Sequence, residues 1–147
     1  MLTIQRKTAM AIFGAIAALA LVGTWGNNRH YLDDGLVTAF KNFAKGTTDN
    51  PASRSITVDL FFLALAVMVW MVFEARRLEM RFVWLYVLFG FLVAVSVTVP
   101  LFFAVRERTL ASREPGSPAG TLSRVDAALL YVLALAFMGY AGYTVAK

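Results

Sequence analysis

The sequence contains no cysteine and only one histidine, His30. Without cysteine there is no disulfide framework, no thiolate nucleophile and no Cys/His zinc site. Glycine-rich phosphate loops, nucleotide-binding fingerprints and spaced Ser/His/Asp sets are also missing from the sequence. These absences predict a protein that binds no metal and carries no cofactor, and they leave no recognisable catalytic set.

Charged residues are scarce as well. They make up 16% of the 147 residues, whereas soluble domains usually carry about 25%, and hydrophobic residues reach 59%. This composition is typical of a single integral membrane domain. The formal net charge of +5 does not indicate nucleic-acid binding, because the basic residues flank apolar runs, where they set membrane orientation. The lipid bilayer is therefore the first expected partner.

The clearest membrane span follows Asn50. Asn50 is a favoured N-cap, and Pro51 suits the first helical position, where its missing N–H costs nothing. An apolar run then extends from Leu60 to Phe73. A helix over 52–77 would rise about 39 Å, enough to cross a hydrocarbon core of about 30 Å. We therefore predict a transmembrane helix over these residues.

Three further apolar runs predict spans over 8–26, 82–106 and 124–145. For the first run, a cleaved signal peptide is the alternative interpretation, since a basic start and an apolar stretch fit both. Pro100 should kink the third span, because proline removes one backbone hydrogen bond. A linker over 113–120, which contains proline and glycine, separates the third span from the fourth.

Residues 32–45 follow a different pattern. Leu32, Leu36, Phe40 and Phe43 recur at helical spacing, and polar residues occupy the opposite side. The segment is too short and too polar to cross a bilayer, so it predicts an amphipathic helix lying on the membrane surface or against the other helices. The expected fold is thus an all-α membrane protein with four transmembrane helices plus one short amphipathic interfacial helix.

With four spans, both termini and the turn after residue 77 would lie on one side of the membrane. Basic residues are densest beside the span ends on that side. Because positively charged flanks stay in the cytoplasm, this density favours a multi-pass protein of the cell membrane with cytoplasmic N- and C-termini.

Two acids interrupt the second span, Asp59 and Glu74. A helix separates them by roughly 22 Å along its axis, which is too far for two carboxyl groups to work as an acid–base pair. Glu74 is expected to form an ion pair at the membrane interface with Arg77, which follows it by one helical turn.

Asp59 predicts a polar site inside the membrane core, because a carboxylate at that depth needs a hydrogen-bonding partner or a proton. If the second and third spans are antiparallel neighbours, residues near Pro100 lie at the same depth. The candidate functional or structural polar site then comprises the following residues: Asp59, Ser55, Ser96, Thr98, Pro100 and Arg106.

Together these features resemble a bacterial family of small integral membrane proteins known only as a domain of unknown function. The resemblance covers roughly residues 10–110, and the residues that carry it are Asn50-Pro51 with Ser53, Asp59, Trp70, Glu74-x-Arg76-Arg77-Leu78, Trp84-Leu85-Tyr86, Pro100-Leu101-Phe102 and Arg106-Glu107-Arg108. It implies an inner-membrane protein whose relatives end after the third span, so the linker and fourth span depart from the family pattern. It implies no activity, substrate or cofactor.

Three functions stay open at this point. The first, favoured by the missing catalytic set, is a non-enzymatic accessory or assembly subunit, or a subunit that binds an apolar ligand. Its partner would be another membrane protein or a second copy of the chain. The second is a membrane-embedded enzyme that acts on a lipid or isoprenoid with Asp59 as proton donor. The third is a proton- or ion-conducting oligomer that uses Asp59.

Overall fold

The computed structural model describes residues 4–33, 35–113 and 123–145, and all regular secondary structure in these ranges is helical. The helices in chain order are α1 (Ile4–Asn28), α2 (Leu36–Gly46), α3 (Pro51–Arg77), α4 (Val83–Leu92), α5 (Val95–Arg113) and α6 (Arg124–Val145). A short 3₁₀ helix, Arg29–Tyr31, continues α1. Of the predicted linker over 113–120, only Arg113 lies within the described residues.

The long helix α3 starts at a reciprocal capping box. The Ser53 amide donates to Asn50 Oδ1 at 2.9 Å, and the Asn50 amide donates to Ser53 Oγ at 3.2 Å, just ahead of Pro51. α3 has 27 residues. Two helices in the described ranges are long and apolar enough to cross a membrane: α3 and the first helix, counted through Tyr31.

The third predicted span is wrong as a single helix, because the described residues from 82 to 106 form two helices. α4 ends at Leu92 and α5 begins at Val95. Pro100, where the sequence predicts a kink, lies inside α5 and beyond the break. The chain therefore reverses several residues before the proline that was expected to bend it.

Two tertiary contacts explain the break. A Cβ on Gly90 would lie 3.1 Å from both Met68 Cε and Thr98 Oγ1, so the missing side chain lets α5 fold back closely against α4. The indole Nε1 of Trp25 donates to the Val93 carbonyl at 3.2 Å. This bond satisfies a backbone acceptor at the break, which would be costly to leave unpaired in an apolar environment.

Helix α5 runs antiparallel to α1. Near the start of α5, Val93 contacts Trp25 from the second half of α1. Near its end, Glu107 contacts Arg6 from the first turn of α1. The two helices therefore pack along most of their length, in opposite directions.

Helix α5 runs parallel to α3, which was not expected. Phe102 packs edge-on against Trp70, and one turn further along both helices Arg106 contacts Glu74. α4 and α5 thus form a hairpin, here called the α4–α5 hairpin, that returns to the level where α3 finishes. α4 has 10 residues and rises only about 15 Å. We call this level the Arg77 end of the molecule and the opposite one the Pro51 end.

The buried core lies between α3 and the α4–α5 hairpin. Its members are Met71, Ala75, Val83 and Phe102, and Phe102 is fully buried. Most other large apolar side chains lie on the outside, including Phe61 and Phe62 of α3, which are 61% and 67% exposed. So much apolar surface is far more than a soluble monomer of this size exposes, and it suits contact with lipid or partners.

The amphipathic segment forms a helix that begins four residues later than expected. Gly35, with φ of 85°, precedes α2, so Leu32 lies outside the helix. α2 packs through Phe43, whose ring is edge-on to Tyr31 at 6.0 Å. Ala39 is buried, whereas Leu36 and Phe40 are 79% and 68% exposed.

The last helix, α6, packs beside α1. A Cβ on Gly23 would lie 3.6 Å from Ala141, and one on Gly26 would lie 3.0 Å from Val145. The later residue of α1, Gly26, thus faces the later residue of α6, Val145, which means that α6 runs parallel to α1. The end of α6 therefore lies near the end of α1, away from Arg6.

Candidate functional site: a charged network and an isolated aspartate

Glu74 is the centre of a charged network at the Arg77 end. Its side chain is only 9% exposed. Arg77, three residues on, donates from Nε and Nη2 to the two Glu74 oxygens at 2.8 and 2.9 Å. Arg106 of α5 donates from Nε to Glu74 Oε1 at 2.6 Å. The pair expected from the sequence is therefore present, but it is part of a larger arrangement.

The network continues through Glu107 to the first helix. Arg106 Nη1 donates to Glu107 Oε1 at 3.0 Å, and Arg6 Nη1 donates to Glu107 Oε2 at 2.7 Å. The Arg6 side chain is 4% exposed and that of Glu107 is 16% exposed. Alternating charges thus connect α1, α5 and α3. Among the described residues, no buried side-chain nitrogen or oxygen is left without a hydrogen-bond partner.

Trp70 holds the central arginine in place. The guanidinium carbon of Arg106 lies 5.6 Å from the centre of the indole ring, a distance suited to a cation–π interaction. The same ring packs edge-on against Phe102 and Phe103, with centroids 6.1 and 5.5 Å apart. The indole thus gives Arg106 an aromatic neighbour on the helix that also carries Glu74.

This network is built for cohesion rather than for proton transfer. Each oxygen of Glu74 and each oxygen of Glu107 accepts from an arginine. A carboxylate engaged in this way has no oxygen directed at a substrate, as a general base requires. Within the described ranges, no group of three His, Cys, Asp or Glu side chains is placed to hold a metal ion.

Asp59 lies apart from this network. Its side chain is exposed and makes no hydrogen bond or ion pair with any described residue. It follows Pro51 by about 12 Å along α3. Ser55, one turn earlier, is exposed too. The carboxylate therefore lies just before the long apolar run of α3, without a partner in the described part of the chain.

The expected polar layer between Asp59 and Pro100 is not formed. Because α5 runs parallel to α3, with Phe102 beside Trp70, Pro100 lies near the level of Met68, about 14 Å along the axis from Asp59. Thr98 is buried and donates its hydroxyl to the Ala94 carbonyl at 3.3 Å.

The remaining members of the predicted site are also dispersed. Ser96 is exposed, and Arg106 belongs to the network at the Arg77 end. The error has one physical cause: the prediction assumed that residues 82–106 cross the bilayer once, whereas the chain turns back at Val93.

Sequence reasoning also missed Arg6 and Glu107 as partners. They are 101 residues apart, and no local spacing rule connects them. A usable signal was present, since Glu107 lies between Arg106 and Arg108 at the end of an apolar run. An acid there is expected to meet a basic residue from another helix end.

The geometry defines an all-helical protein, with two described helices long and apolar enough to cross a membrane and with ion pairs joining three helices at one end. The chain belongs to the family described as protein of unknown function DUF2834, whose model matches residues 9–108. The matched segment runs from α1 to α5 and includes Asp59 and most of the charged network. No curated protein matches the chain, and no solved structure matches it.

Proposed function

We propose that this protein is a non-enzymatic assembly or accessory subunit of the bacterial inner membrane. Its contact surface would be the half of α3 nearest Pro51, with Asp59 as the central polar contact to a partner helix. The observation that carries the proposal is the exposed Asp59 carboxylate, which has no partner among the described residues and lies at the start of the apolar run of α3. A charged side chain in the bilayer core costs about 2.5–3.5 kcal/mol, which a polar partner would offset.

The surroundings of Asp59 support a protein partner. Leu60, Phe61, Phe62 and Leu63 are 48–67% exposed, and consecutive residues point to all sides of a helix. The α4–α5 hairpin turns back at Val93 and does not reach this part of α3. The described residues therefore leave most sides of α3 around Asp59 open, although Ala64, further along the helix, is buried.

The membrane arrangement follows from the directions of the helices. We propose three crossings, by α1, α3 and α6, with the α4–α5 hairpin entering and leaving at the Arg77 end. This differs from the four crossings expected from the sequence, since α4 is too short to reach the other side. The N-terminus would be cytoplasmic and the end of α6 would lie on the opposite side.

The distribution of basic residues supports this arrangement. Nine lie at or near the Arg77 end: Arg6, Lys7, Arg76, Arg77, Arg81, Arg106, Arg108, Arg113 and Arg124. Of the other five basic residues, Arg29, Lys41, Lys45 and Arg54 would lie on the opposite side, and Lys147 falls outside the described residues. The majority thus lies where the positive-inside rule puts the cytoplasm. With four crossings, six of the 14 basic residues would lie on the side of both termini and eight on the other side.

The amphipathic helix fits this arrangement as an interfacial element. Leu36 and Phe40 of α2 are exposed, and Lys41 and Lys45 lie on the same short helix. Such a helix lies in the membrane surface with its apolar face in the acyl boundary. In the proposed arrangement it would rest on the outer face of the membrane.

Site-specific photocrosslinking in cell membranes tests the proposed contact. A photoreactive residue at Leu63 lies one turn from Asp59 on the same face, whereas one at Phe61 lies on the opposite side and serves as the matched control. We expect a discrete protein adduct from position 63 that disappears in Asp59→Leu. The adduct mass distinguishes a second copy of the chain from a different protein. Lipid adducts alone at both positions, or an adduct that Asp59→Leu leaves unchanged, would contradict the proposal.

A further inference from the structure

A cavity of about 450 Å³ lies where α3 ends and α4 begins. Its lining includes Arg76 from the last turn of α3, Glu79 and Arg81 from the connecting turn, and Phe82 and Trp84 at the start of α4. It is distinct from the charged network, whose members do not line it. It is also far from Asp59, so the inference below does not depend on the proposed function.

The turn brings the two arginines together. Glu79 and Phe82 have φ values of 48° and 65°, in the left-handed region that residues other than glycine seldom adopt. These two positions reverse the chain within a few residues. Arg76 and Arg81 consequently border the same cavity although they lie on opposite sides of the turn.

The cavity has an excess of positive charge. The side chains of Arg76 and Arg81 make no ion pair or hydrogen bond with any described residue. The one acid of the lining, Glu79, accepts from Arg113 Nη1 at 2.5 Å and is thereby neutralised. Two guanidinium groups therefore have donors available and no carboxylate to satisfy them.

The apolar part of the lining narrows the ligand class. Phe82 and Trp84 are 71% and 61% exposed at the cavity, next to the end of the candidate span α3. Aromatic side chains at this level are typical of the headgroup region of a bilayer. The planar guanidinium group of arginine can donate two parallel hydrogen bonds to the oxygens of a phosphate. Unpaired arginines beside exposed aromatic rings at a span end fit a ligand that joins a phosphate to an acyl chain.

We propose that this cavity binds the phosphate of an anionic phospholipid headgroup, with Arg76 and Arg81 as the two phosphate ligands. The acyl chains extend along the exposed aromatic side chains of α4 into the bilayer. A soluble phosphate compound offers the same oxygens to the arginines but would not contact the apolar side chains of the cavity. The experiment below separates these two sources.

Native mass spectrometry of the detergent-solubilised protein, titrated with phosphatidylglycerol, measures the binding directly. We expect one tightly held lipid in the unchanged protein and a loss of about 30-fold in affinity in the double variant Arg76→Gln/Arg81→Gln. The matched control is Arg108→Gln, since Arg108 is exposed, unpaired in the described chain and close to the same end but outside the cavity. It should bind phosphatidylglycerol as the unchanged protein does.

Three results would overturn the proposal. Equal binding by the double variant and the unchanged protein shows that the arginines are not ligands. An equal loss in Arg108→Gln shows nonspecific attraction to a basic surface. Displacement of the lipid by inorganic phosphate at comparable concentration shows that the cavity selects a soluble phosphate. Misfolding does not obscure these outcomes, because both arginines are exposed and unpaired, and the circular dichroism of the double variant should be unchanged.

Discussion

Arg106 of α5 donates from Nε to Oε1 of Glu74 in α3 at 2.6 Å, across 32 positions of sequence. This bond fixes α5 parallel to α3, because it places the last turns of α3 beside the second half of α5. An antiparallel α5 would carry Arg106 to the Pro51 end. The bond thus distinguishes a hairpin that returns from a helix that crosses.

Removing the central carboxylate should destabilise the fold strongly. In Glu74→Ala, Arg106 and Arg77 lose their common acceptor, and breaking a buried ion pair costs about 3–5 kcal/mol. Thermal unfolding in detergent, followed by circular dichroism, should show a clearly lower midpoint. The matched control is Asp59→Ala, an acid on the same helix without a partner in the described chain, which should change stability by less than about 0.5 kcal/mol.

The double variant Glu74→Ala/Arg106→Ala makes this test specific. If the two residues act as a pair, the double change costs less than the two single changes together. Strictly additive costs would show that Glu74 and Arg106 do not interact in the folded protein.

The close approach at Gly90 gives a second prediction. Gly90→Val should destabilise the α4–α5 hairpin by about 1–3 kcal/mol, because added carbon atoms collide with Met68 and Thr98. Gly14→Ala is the matched control: a Cβ there meets nothing within 4 Å, so alanine should be neutral or slightly stabilising in the helix. Equal melting temperatures for Gly90→Val and the unchanged protein would mean that α4 and α5 do not pack at this point.

Membrane orientation gives a third prediction, and the absence of cysteine makes it simple to test. Single cysteines at Arg81 and Arg113 should both be labelled by an impermeant thiol reagent from the cytoplasmic side. A cysteine at Asp49, between α2 and α3, should be labelled only from the other side. If Arg113 labels together with Asp49, residues 82–106 cross the bilayer and the hairpin is wrong.

The sequence predicted the features that depend on neighbouring residues. The Asn50 cap, the end of α3 near Arg77 and the Glu74–Arg77 contact all follow from spacing within one or two helical turns. The amphipathic helix also follows from local spacing, but it begins later than predicted because Gly35 takes a left-handed conformation.

Features that depend on contacts between residues far apart in the sequence could not be predicted from local patterns. The run over 82–105 carries no charged residue and is predominantly apolar, so its length indicated a crossing. The run is broken at a close contact at Gly90 and a hydrogen bond from Trp25. Neither contact can be inferred from the hydropathy of the run itself. The misplaced polar layer around Asp59 followed directly from this one error in direction.

The bond between Trp25 and Val93 also has a consequence for the order of biogenesis. The donor is synthesised 68 residues before the acceptor, so in the proposed arrangement α1 would enter the membrane ahead of the α4–α5 segment. Until the indole is in position, the acceptor at the break has no partner, and a continuous helix is the better way for the segment to satisfy its backbone. In the proposed arrangement the first helix would therefore act as a template, since its indole favours a later segment that turns back over one that crosses.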